Sequence, residues 1–406
     1  MVKRTMKILV LNAGSSTQKS CLYEFGDERT PDGPCPPLWE ARLDGVQLKV
    51  TTARGETLSH IPEGESCETI ARMLETIWRG PDRVLESLSE IDIVGHRVVH
   101  GGRDYTNATL VDGALKAAIA SLAELAPAHN PAALRGIEAV GQALGPTVPQ
   151  LAVFDTAFHS TLSEAAAIYP GPYEWVEQGI RRYGFHGINH AYCADRAAQI
   201  LNRDPASLRL VSCHLGNGCS LAAISGGRSV DTTMGFTPLE GLMMGTRSGT
   251  VDPGILLHLL RKGRSVDDLD CILNRESGLK GISGLGGDMR DISAAVLKGD
   301  LRAQLAFDIY VHRVRAHIGS MAAVLGGLDG LVFTAGVGEN SAPLRAAVCQ
   351  KFGFLGLKLD SGKNEASPLD EDIAVPNSHV RILVIQAQED WAIARECWNF
   401  LTLPKR

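Results

Sequence analysis

The sequence predicts a two-domain α/β protein, and three observations support this fold class. The chain has 406 residues, more than one ordinary domain holds. Apolar runs of strand length alternate with segments of helix length, as in α/β proteins. A strand–turn–strand pattern near the N-terminus also returns about half a chain later. We therefore expect two domains of related construction.

The two hairpins are predicted from apolar runs on either side of small polar residues. In the first hairpin, residues 7–11 and 20–25 are strand-like and the turn lies at 12–17. In the second, the strands are 209–213 and 220–224, and they flank an Asn-Gly turn. This repetition indicates an internal duplication, although two β-hairpins also resemble each other by chance.

The other predicted elements alternate between strands and helices. They are a strand at 93–99, helices at 114–125 and 131–144, and a strand at 150–154. Two segments are predicted to be surface loops, namely 31–37, which is rich in proline and glycine, and 360–377, which is polar.

Composition argues against several partners and compartments. The net charge of −6 gives no bulk attraction to nucleic acid or to an anionic membrane. No apolar stretch is long enough to span a bilayer, and no signal-length apolar segment is present. The nine cysteines are scattered without a Cys-x-x-Cys pair, which argues against a zinc site or a disulfide scaffold. The expected location is a reducing compartment, the cytoplasm.

Three turns are candidates for phosphate binding, because small residues allow backbone N–H groups to approach an anion. The first is 12–19, where Lys19 adds a positive charge, and the second is 214–218. The third is a glycine-rich turn at 336–340 after an apolar strand, and Ser341 is predicted to cap the next helix. In each case a plain turn without a ligand is the alternative interpretation.

Four polar side chains are candidates for chemistry. Arg97 and Arg247 lie among glycines, where a guanidinium group has little packing to support it but suits phosphate or carboxylate. Asp155 follows the predicted strand at 150–154, at the strand end where α/β sheets bind ligands. His186 lies in a segment that also contains glycines. The alternatives are a structural salt bridge for the arginines, a helix N-cap for Asp155 and a satisfied core residue for His186.

Taken together and in this order, the motifs resemble the acetate kinase family over nearly the whole chain. The longest matching segment is 234–249, which reads Met-Gly-Phe-Thr-Pro-Leu-Glu-Gly-Leu-Met-Met-Gly-Thr-Arg-Ser-Gly. The other matching positions are 12–19, 95–102, 125–131, 154–159, 181–187, 214–218, 283–291, 333–341 and Glu389. So many long motifs in one order exclude coincidence.

The resemblance implies the fold of the acetate and sugar kinase, Hsp70 and actin superfamily. In that fold, two duplicated ribonuclease-H-like α/β domains form an interdomain active-site cleft for ATP. The implied domains are 1–155 with 390–406, and 156–389. The implied reaction is reversible phosphoryl transfer between ATP and acetate, with Mg²⁺ or Mn²⁺ as cofactor. A homodimer is implied as well, with neither a nucleic acid nor a membrane as partner.

The resemblance also implies roles for individual residues. The catalytic residues would be Asp155, His186, Arg247 and Arg97. The substrate acid would be bound by Arg97, Val99, Ala128, His129, Phe185 and Pro238. The nucleotide would be bound by Lys19, His214, Leu215, Gly216, Asn217, Gly218, Asp288, Met289, Arg290, Gly336, Val337, Gly338, Glu339 and Asn340. The metal would be held by Asn12 and Glu389, directly or through water.

The chemistry of the implied reaction agrees with these roles. A carboxylic acid with a pKa near ~4 is already ionised at neutral pH, so no general base is needed to activate it. The loose transition state of phosphoryl transfer needs positive charge and hydrogen-bond donors. We therefore interpret Asp155 as a residue that orients the metal and the substrate, and a proton acceptor is the alternative interpretation.

Three positions depart from the usual family pattern. Ala128 stands where leucine is common, which would widen the pocket for the acid, so propionate would be accepted comparatively well. Ile188 and Asn189 replace the Thr-Ser that commonly follows the His-Gly of this motif. Thr250 stands where an aspartate is usual, so the local support of Arg247 is expected to differ.

Several alternative functions remain at this point. Propionate kinase is the near alternative, whereas butyrate kinase and a pyrophosphate-dependent enzyme are more distant. In another class, actin-like filaments and chaperones share the superfamily fold. They lack paired arginines for a carboxylate, so Arg97 together with Arg247 argues against them.

Overall fold

The computed structural model divides the chain into two compact units. The N-terminal unit consists of Met1–Ala157 and Gln388–Arg406, and the C-terminal unit is Phe158–Ala387. The predicted domain boundaries lie two residues away on each side (155 against 157, and 390 against 388). The structure describes residues 5–13, 17–26, 33–62, 66–127 and 129–403.

The N-terminal unit contains an eight-stranded sheet with the order β5-β4-β3-β2-β1-β6-β8-β7. Its first five strands pair antiparallel, whereas β6 pairs parallel with both β1 and β8. The strands are β1 (Thr5–Ala13), β2 (Thr17–Gly26), β3 (Trp39–Asp44), β4 (Gln47–Thr52), β5 (Gly55–His60), β6 (Ile93–Val98), β7 (Thr109–Leu110) and β8 (Gln150–Phe154). The helices are α1 (Ser66–Glu75), α2 (Gly113–Ser121), α3 (Asn130–Leu144) and the C-terminal helix, Glu389–Thr402.

The C-terminal helix packs closely on β6 of this sheet. A Cβ atom at Gly95 in β6 would lie 2.6 Å from Cγ2 of Ile393 and 2.7 Å from Sγ of Cys397, so only glycine permits this approach. The central strand β1 is buried on both faces, with Ile8, Leu9 and Val10 fully inaccessible to solvent. The close packing therefore fixes the start of the C-terminal helix in the N-terminal unit.

The C-terminal unit contains a six-stranded sheet with the order β11-β10-β9-β12-β14-β13. Strands β9, β10 and β11 pair antiparallel, whereas β12 pairs parallel with β9 and β14. The strands are β9 (Arg209–Leu215), β10 (Cys219–Ser225), β11 (Arg228–Thr232), β12 (Gly330–Thr334), β13 (Glu371–Asp372) and β14 (Arg381–Val384).

The helices of the C-terminal unit follow in chain order. They are α4 (Glu164–Ala167), α5 (Glu174–Glu177), α6 (Gly187–Leu201), α7 (Pro253–Arg261), α8 (Val266–Arg275), α9 (Gly278–Ser283), α10 (Met289–Leu297), α11 (Leu301–Leu325), α12 (Ala335–Asn340), α13 (Ala342–Cys349) and α14 (Ser361–Glu365). No helix in the part of the chain that the structure describes is long and apolar enough to cross a membrane.

The two sheets share one core strand order. In the N-terminal unit the core is β3-β2-β1-β6-β8, and in the C-terminal unit it is β11-β10-β9-β12-β14. Both cores contain a three-stranded antiparallel meander followed by two strands parallel to the first. This order is that of ribonuclease-H-like domains, so the predicted duplicated α/β fold is confirmed.

Two local predictions were wrong. The glycine-rich segment 336–340 is not a turn but belongs to the helix α12, which begins directly after β12. The polar segment 360–377 is not only loop, because it contains α14 and β13. The predicted cap is confirmed, since Ser341 accepts a hydrogen bond from the backbone N–H of Leu344 at the start of α13.

Candidate active site

Arg97 and Asp155 form an ion pair at the carboxyl edge of the N-terminal sheet. Arg97 is the penultimate residue of β6, and Asp155 directly follows β8, the parallel neighbour of β6. The Nε atom of Arg97 lies 3.2 Å from both carboxylate oxygens of Asp155, and Nη2 lies 2.7 Å from Oδ2. Asp155 is 1% exposed. The register of two parallel strands thus brings together residues that are 58 positions apart.

Two further groups hold the Arg97 guanidinium. Its Nη1 atom donates to Oδ1 of Asn12 at 3.1 Å and lies 3.3 Å from Oε2 of Glu389. Burial alone would lower the pKa of Arg97, but the negative charges of Asp155 and Glu389 outweigh this effect and raise the pKa above its ordinary value. In this structure the partners of Arg97 are therefore carboxylates of the chain itself, as in the structural salt bridge that was the alternative interpretation.

Asp390 is part of the same cluster, and sequence reasoning missed it. Its Oδ1 accepts from Nδ2 of Asn12 at 2.8 Å, and its Oδ2 lies 2.8 Å from Nζ of Lys19. Burial would lower the pKa of Lys19, but Asp390 and Glu40 raise it. Asp390 is only 7% exposed, and its carboxylate holds the side chains of Lys19 and Asn12 in place. Its position beside Glu389 in the first turn of a helix was the one available sign.

The residues expected to hold a metal form a sparse set of oxygen ligands. Oε2 of Glu389 lies 3.4 Å from Nδ2 of Asn12, and the other end of the Asn12 amide accepts from Arg97. Within the described residues, no group of three or more His, Cys, Asp or Glu side chains could hold a metal ion. One partly exposed carboxylate fits Mg²⁺, which keeps several water ligands, but it does not fit a metal enclosed by protein ligands alone.

In the C-terminal unit, the second hairpin turn lies beside two cationic or polar side chains. The turn is Gly216, Asn217 and Gly218, between β9 and β10. A Cβ atom at Gly218 would lie 3.5 Å from Nη1 of Arg247 and 3.5 Å from Nε2 of His186. The structure therefore places the predicted phosphate turn next to both predicted stabilising residues of this unit.

Arg247 differs from Arg97 because it makes no ion pair with any carboxylate of the described residues. It is half-buried, and its Nη1 donates to the carbonyl oxygen of Pro238 at 3.0 Å. Burial lowers the pKa of this guanidinium. Thr250 gives Arg247 no acidic support, and Asp252, two residues further on, caps α7 by accepting from the N–H of Gly254. A half-buried cation without a carboxylate partner is suited to an anionic ligand.

His186 has a strained backbone and a ring in contact with other polar groups. It directly precedes α6 and has a φ of 57°, in the left-handed region that non-glycine residues seldom adopt. Its Nδ1 lies 2.8 Å from Oγ of Ser220, and its ring stacks on His214 with centroids 4.0 Å apart. Ser220 also lies 2.8 Å from Nε2 of His190, so it bridges two histidines; no sequence motif marked it.

The predicted nucleotide-binding segments lie around the same turn. A Cβ atom at Gly245 would lie 2.3 Å from Oδ1 of Asn217 and 2.9 Å from the carbonyl oxygen of Gly287, so these loops meet at van der Waals contact. Asp288 caps α10 and pairs with Arg290, whose side chain is 90% exposed.

Helix α12 also lies near this turn. A Cβ atom at Gly216 would lie 3.7 Å from Cβ of Ala335, the first residue of α12. A Cβ atom at Gly338 would lie 3.7 Å from Cβ of Leu215. The sequence thus identified the segments that surround the second hairpin turn, including α12 with Gly336, Val337, Glu339 and Asn340.

The predicted acid-binding residues are distributed over both units. Val99 and His129 belong to the N-terminal unit, where Val99 is buried and His129 precedes α3. Phe185 and Pro238 belong to the C-terminal unit, where Phe185 is 1% exposed. Ala128, the departure expected to widen the pocket, lies outside the described residues.

The fold is duplicated, and the turn at 216–218 lies beside the side chains of Arg247 and His186. These features together define a phosphotransferase of the two-domain ribonuclease-H-like class. Comparison with known proteins identifies the family. The acetokinase family model matches residues 7–395, and the chain belongs to this family, as predicted.

Individual relatives agree with this assignment. The acetate kinase of Gloeobacter violaceus is 61% identical over 403 residues, which cover 98% of this chain and 100% of the relative. The crystal structure of Porphyromonas gingivalis acetate kinase is 38% identical with a TM-score of 0.88, and it covers 98% of this chain and 100% of that chain. A propionate kinase from Francisella tularensis is 37% identical with a TM-score of 0.87, over 96% of this chain and 98% of that chain.

Proposed function

We propose that the protein is an ATP-dependent acetate kinase that catalyses the reversible reaction of ATP and acetate to ADP and acetyl phosphate. An acetate oxygen forms a bond to the γ-phosphorus of ATP. The bond from that phosphorus to the β,γ-bridging oxygen breaks, and ADP leaves with the electron pair. The observation that carries the proposal is the half-buried Arg247, which lies beside His186 and the 216–218 turn without a carboxylate partner among the described residues.

The N-terminal unit supplies the residues for the acid and the metal. Arg97 binds the acetate carboxylate through its guanidinium, and Asp155 holds that guanidinium in place from 2.7 Å. Because acetate is already ionised at neutral pH, Asp155 acts as an orienting residue and not as a base. Glu389 and Asn12 are the residues that would hold Mg²⁺, or Mn²⁺, mainly through water, and the bound ion would supply positive charge next to the phosphates.

The C-terminal unit supplies the residues for the phosphates and the transition state. Arg247 and His186 donate to the equatorial oxygens of the transferring phosphoryl group, where negative charge is spread. The turn at 214–218 and helix α12 bind the phosphates, and Lys19 of the N-terminal unit adds charge. Asp288, Met289 and Arg290 bind the adenosine.

Acetate is the proposed substrate in preference to propionate. The acetate kinase of G. violaceus is 61% identical to the chain, whereas the propionate kinase of F. tularensis is 37% identical. A hydrophobic pocket distinguishes acids that differ by one methylene by only ~1–3 kcal/mol, so propionate is a slower substrate and not an excluded one.

The test is an assay that traps acyl phosphate as hydroxamate, with acetate, propionate and butyrate and with ATP or pyrophosphate as donor. The expected result is the highest kcat/KM with acetate and ATP. Turnover of ATP that is independent of any added acid would contradict the proposal and would favour a chaperone-like or filament-like ATPase. An Arg97→Lys, Arg247→Lys double variant should lose hydroxamate formation, since neither lysine can form a planar two-point contact.

The exposed apolar residues of α7 support a homodimer. Ile255, Leu257 and Leu260 on this helix are 49%, 52% and 40% exposed, which is unusual for three large apolar residues on one short helix. We expect sedimentation to give twice the monomer mass and Leu257→Glu to reduce it to the monomer mass. The cytoplasm is the proposed location, because all nine cysteines are free thiols.

A further inference from the structure

Asn189 lies at the point where three functional segments of the C-terminal unit meet. It is the third residue of α6, the helix that directly follows His186, and it is fully buried. Its Nδ2 atom lies 2.9 Å from Nδ1 of His214 and 3.3 Å from Oγ1 of Thr334. His214 begins the segment 214–218, and Thr334 is the N-cap of α12. One amide group therefore contacts both of the predicted phosphate-binding segments of this unit.

The direction of the hydrogen bond to His214 follows from the chemistry of the amide. An amide nitrogen donates and does not accept, so Nδ1 of His214 must be the acceptor and carries no proton. A neutral imidazole with an unprotonated Nδ1 carries its proton on Nε2. The amide oxygen faces the other way, where Sγ of Cys193 lies 3.9 Å from it, one helical turn further along α6.

The Nε2 atom of His214 faces the turn. A Cβ atom at Gly216 would lie 3.9 Å from this atom, so Nε2 lies beside the glycine backbone that would accommodate a phosphate. In the tautomer set by Asn189, this position presents an N–H donor to an anion. In the opposite tautomer it would present a lone pair, which repels phosphate oxygens.

We infer that Asn189 is a positioning residue that fixes the His214 tautomer with the proton on Nε2, so that His214 donates to a phosphate of the nucleotide. This inference rests on the proposed function, because the phosphate is that of ATP or ADP.

The stacking of His186 on His214 gives the tautomer a second consequence. The two rings are nearly parallel, with an angle of 9° between their planes, and two cationic rings in this arrangement would repel each other. The Asn189 donor opposes protonation of Nδ1 of His214. The partner of His186, by contrast, is the Ser220 hydroxyl, which can donate or accept. The stacked pair therefore contains one ring with its proton fixed on Nε2 and one ring, His186, whose Nδ1 can donate or accept.

Serine at this position would not fix the tautomer. A hydroxyl can rotate to donate or to accept, so His214 would populate both tautomers. An ionised aspartate at this position would only accept, so Asn189→Asp should favour the Nδ1–H tautomer while keeping the shape of the side chain. These two substitutions therefore separate hydrogen-bond direction from packing.

The test uses NMR of the full-length protein with ring-¹⁵N-labelled histidine, in which His214→Gln identifies the signal among the 12 histidines. We expect the Nε2–H tautomer in the wild type, the Nδ1–H tautomer in Asn189→Asp and both in Asn189→Ser. The Asn189→Asp variant should also lose about tenfold in kcat/KM for ATP, the usual effect of one hydrogen bond to a charged group, while KM for acetate stays unchanged.

Asn202→Ser is the matched control. Asn202 ends the same helix, about 20 Å along its axis, and is exposed, so this change should perturb α6 without altering the His214 signal. An Nδ1–H signal in the wild type, or an Asn189→Ser protein with only the Nε2–H signal, would overturn the inference. The Asn189→Ser variant also decides the question should the Asn189→Asp variant not fold. A wild-type protein that forms no acyl phosphate would instead reject the proposed function, whatever the ring signal shows.

Discussion

Replacement of Asp155 by asparagine tests whether this residue orients Arg97 or accepts a proton. In the structure, both oxygens of Asp155 accept from Arg97, at distances of 2.7–3.2 Å, and the carboxylate is 1% exposed. Asparagine keeps the size of the side chain but removes its charge and turns an N–H₂ group toward the guanidinium donors. The substitution thus breaks an ion pair inside the fold without leaving a cavity.

The expected cost follows from the partners that Arg97 retains. Breaking a buried ion pair by removing one partner typically costs ~3–5 kcal/mol. Arg97 still has Glu389 at 3.3 Å and Oδ1 of Asn12 at 3.1 Å, so we expect the low end, about 3 kcal/mol. For a unit of this size, that corresponds to a decrease of roughly 6–12 °C in the melting temperature of the affected transition.

The kinetic effect distinguishes the two roles of Asp155. If Asp155 orients Arg97, the Asp155→Asn variant should have a KM for acetate at least tenfold higher and a weaker dependence on the metal ion. The reason is that the Arg97 guanidinium, which is proposed to bind acetate, and its neighbour Glu389 lose their alignment. The measurement is hydroxamate formation over a range of acetate and Mg²⁺ concentrations. Wild-type KM values for both, with a loss in kcat alone, would refute the orienting role and indicate a proton acceptor.

The control is the pair formed by Asp329 and Arg209, whose side chains are 20% and 41% exposed. Solvent screens such a pair, so Asp329→Asn should cost no more than ~1 kcal/mol and leave the kinetic constants unchanged. An equal loss of stability in both variants would show that the burial of Asp155 does not determine the cost.

Three further predictions concern the cation of the C-terminal unit, the buried histidines and the acid pocket. Arg247→Met should reduce the rate of acyl phosphate formation by ~10³-fold or more. Its stability should stay within about 1 kcal/mol of the wild type, because burial of the cation is unfavourable; a large loss in urea unfolding would contradict this. Burial lowers the pKa of His96 and His159 to about 4, so the folded rings stay neutral where the unfolded rings take up protons. The free energy of unfolding should therefore fall as the pH decreases from about 6.5 to about 4, by about 2 kcal/mol per ring at pH 5. In the His96→Gln variant, the decrease in the free energy of unfolding between pH 7.5 and 5.0, measured with urea, should be smaller by the contribution of one ring. A decrease as large as that of the wild type would contradict this prediction. Ala128→Leu should raise the ratio of kcat/KM for acetate over propionate, and an unchanged ratio would mean that residue 128 does not contact the acid.

The strands that were predicted from the sequence are those whose central residues are almost completely buried. Both hairpins and the strands 93–99 and 150–154 were found as continuous apolar runs, and in the structure their central residues are inaccessible to solvent. The glycines of 336–340 misled the prediction, because glycine favours both tight turns and close packing. In the structure Gly338 lies within α12, where a Cβ atom would lie 3.4 Å from the backbone carbon of Phe333, an ordinary van der Waals distance.

Residues of the site were predicted singly, but their pairings were not. Arg97 and Asp155 each had a structural alternative, and nothing in the spacing indicated that one would bind the other. That pairing depends on the register between β6 and β8, in which Arg97 lies beside Val153. Asp390 and Ser220 were missed for a related reason: their roles come from helix packing and strand pairing, which place ordinary residues next to distant partners.

The two units give the same position in the fold opposite electrostatic surroundings. In the N-terminal unit, the first hairpin ends at Asn12 and Lys19, which contact the carboxylates of Glu389 and Asp390. The corresponding hairpin of the C-terminal unit lies beside Arg247, which has no carboxylate partner in the described part of the chain. The surroundings of the first hairpin therefore suit a metal ion and Arg97, the cation proposed to bind the substrate carboxylate. The surroundings of the second hairpin suit phosphate. Duplication supplied one scaffold twice, and the neighbours of the two hairpins, more than the hairpins themselves, determine which charge each can bind.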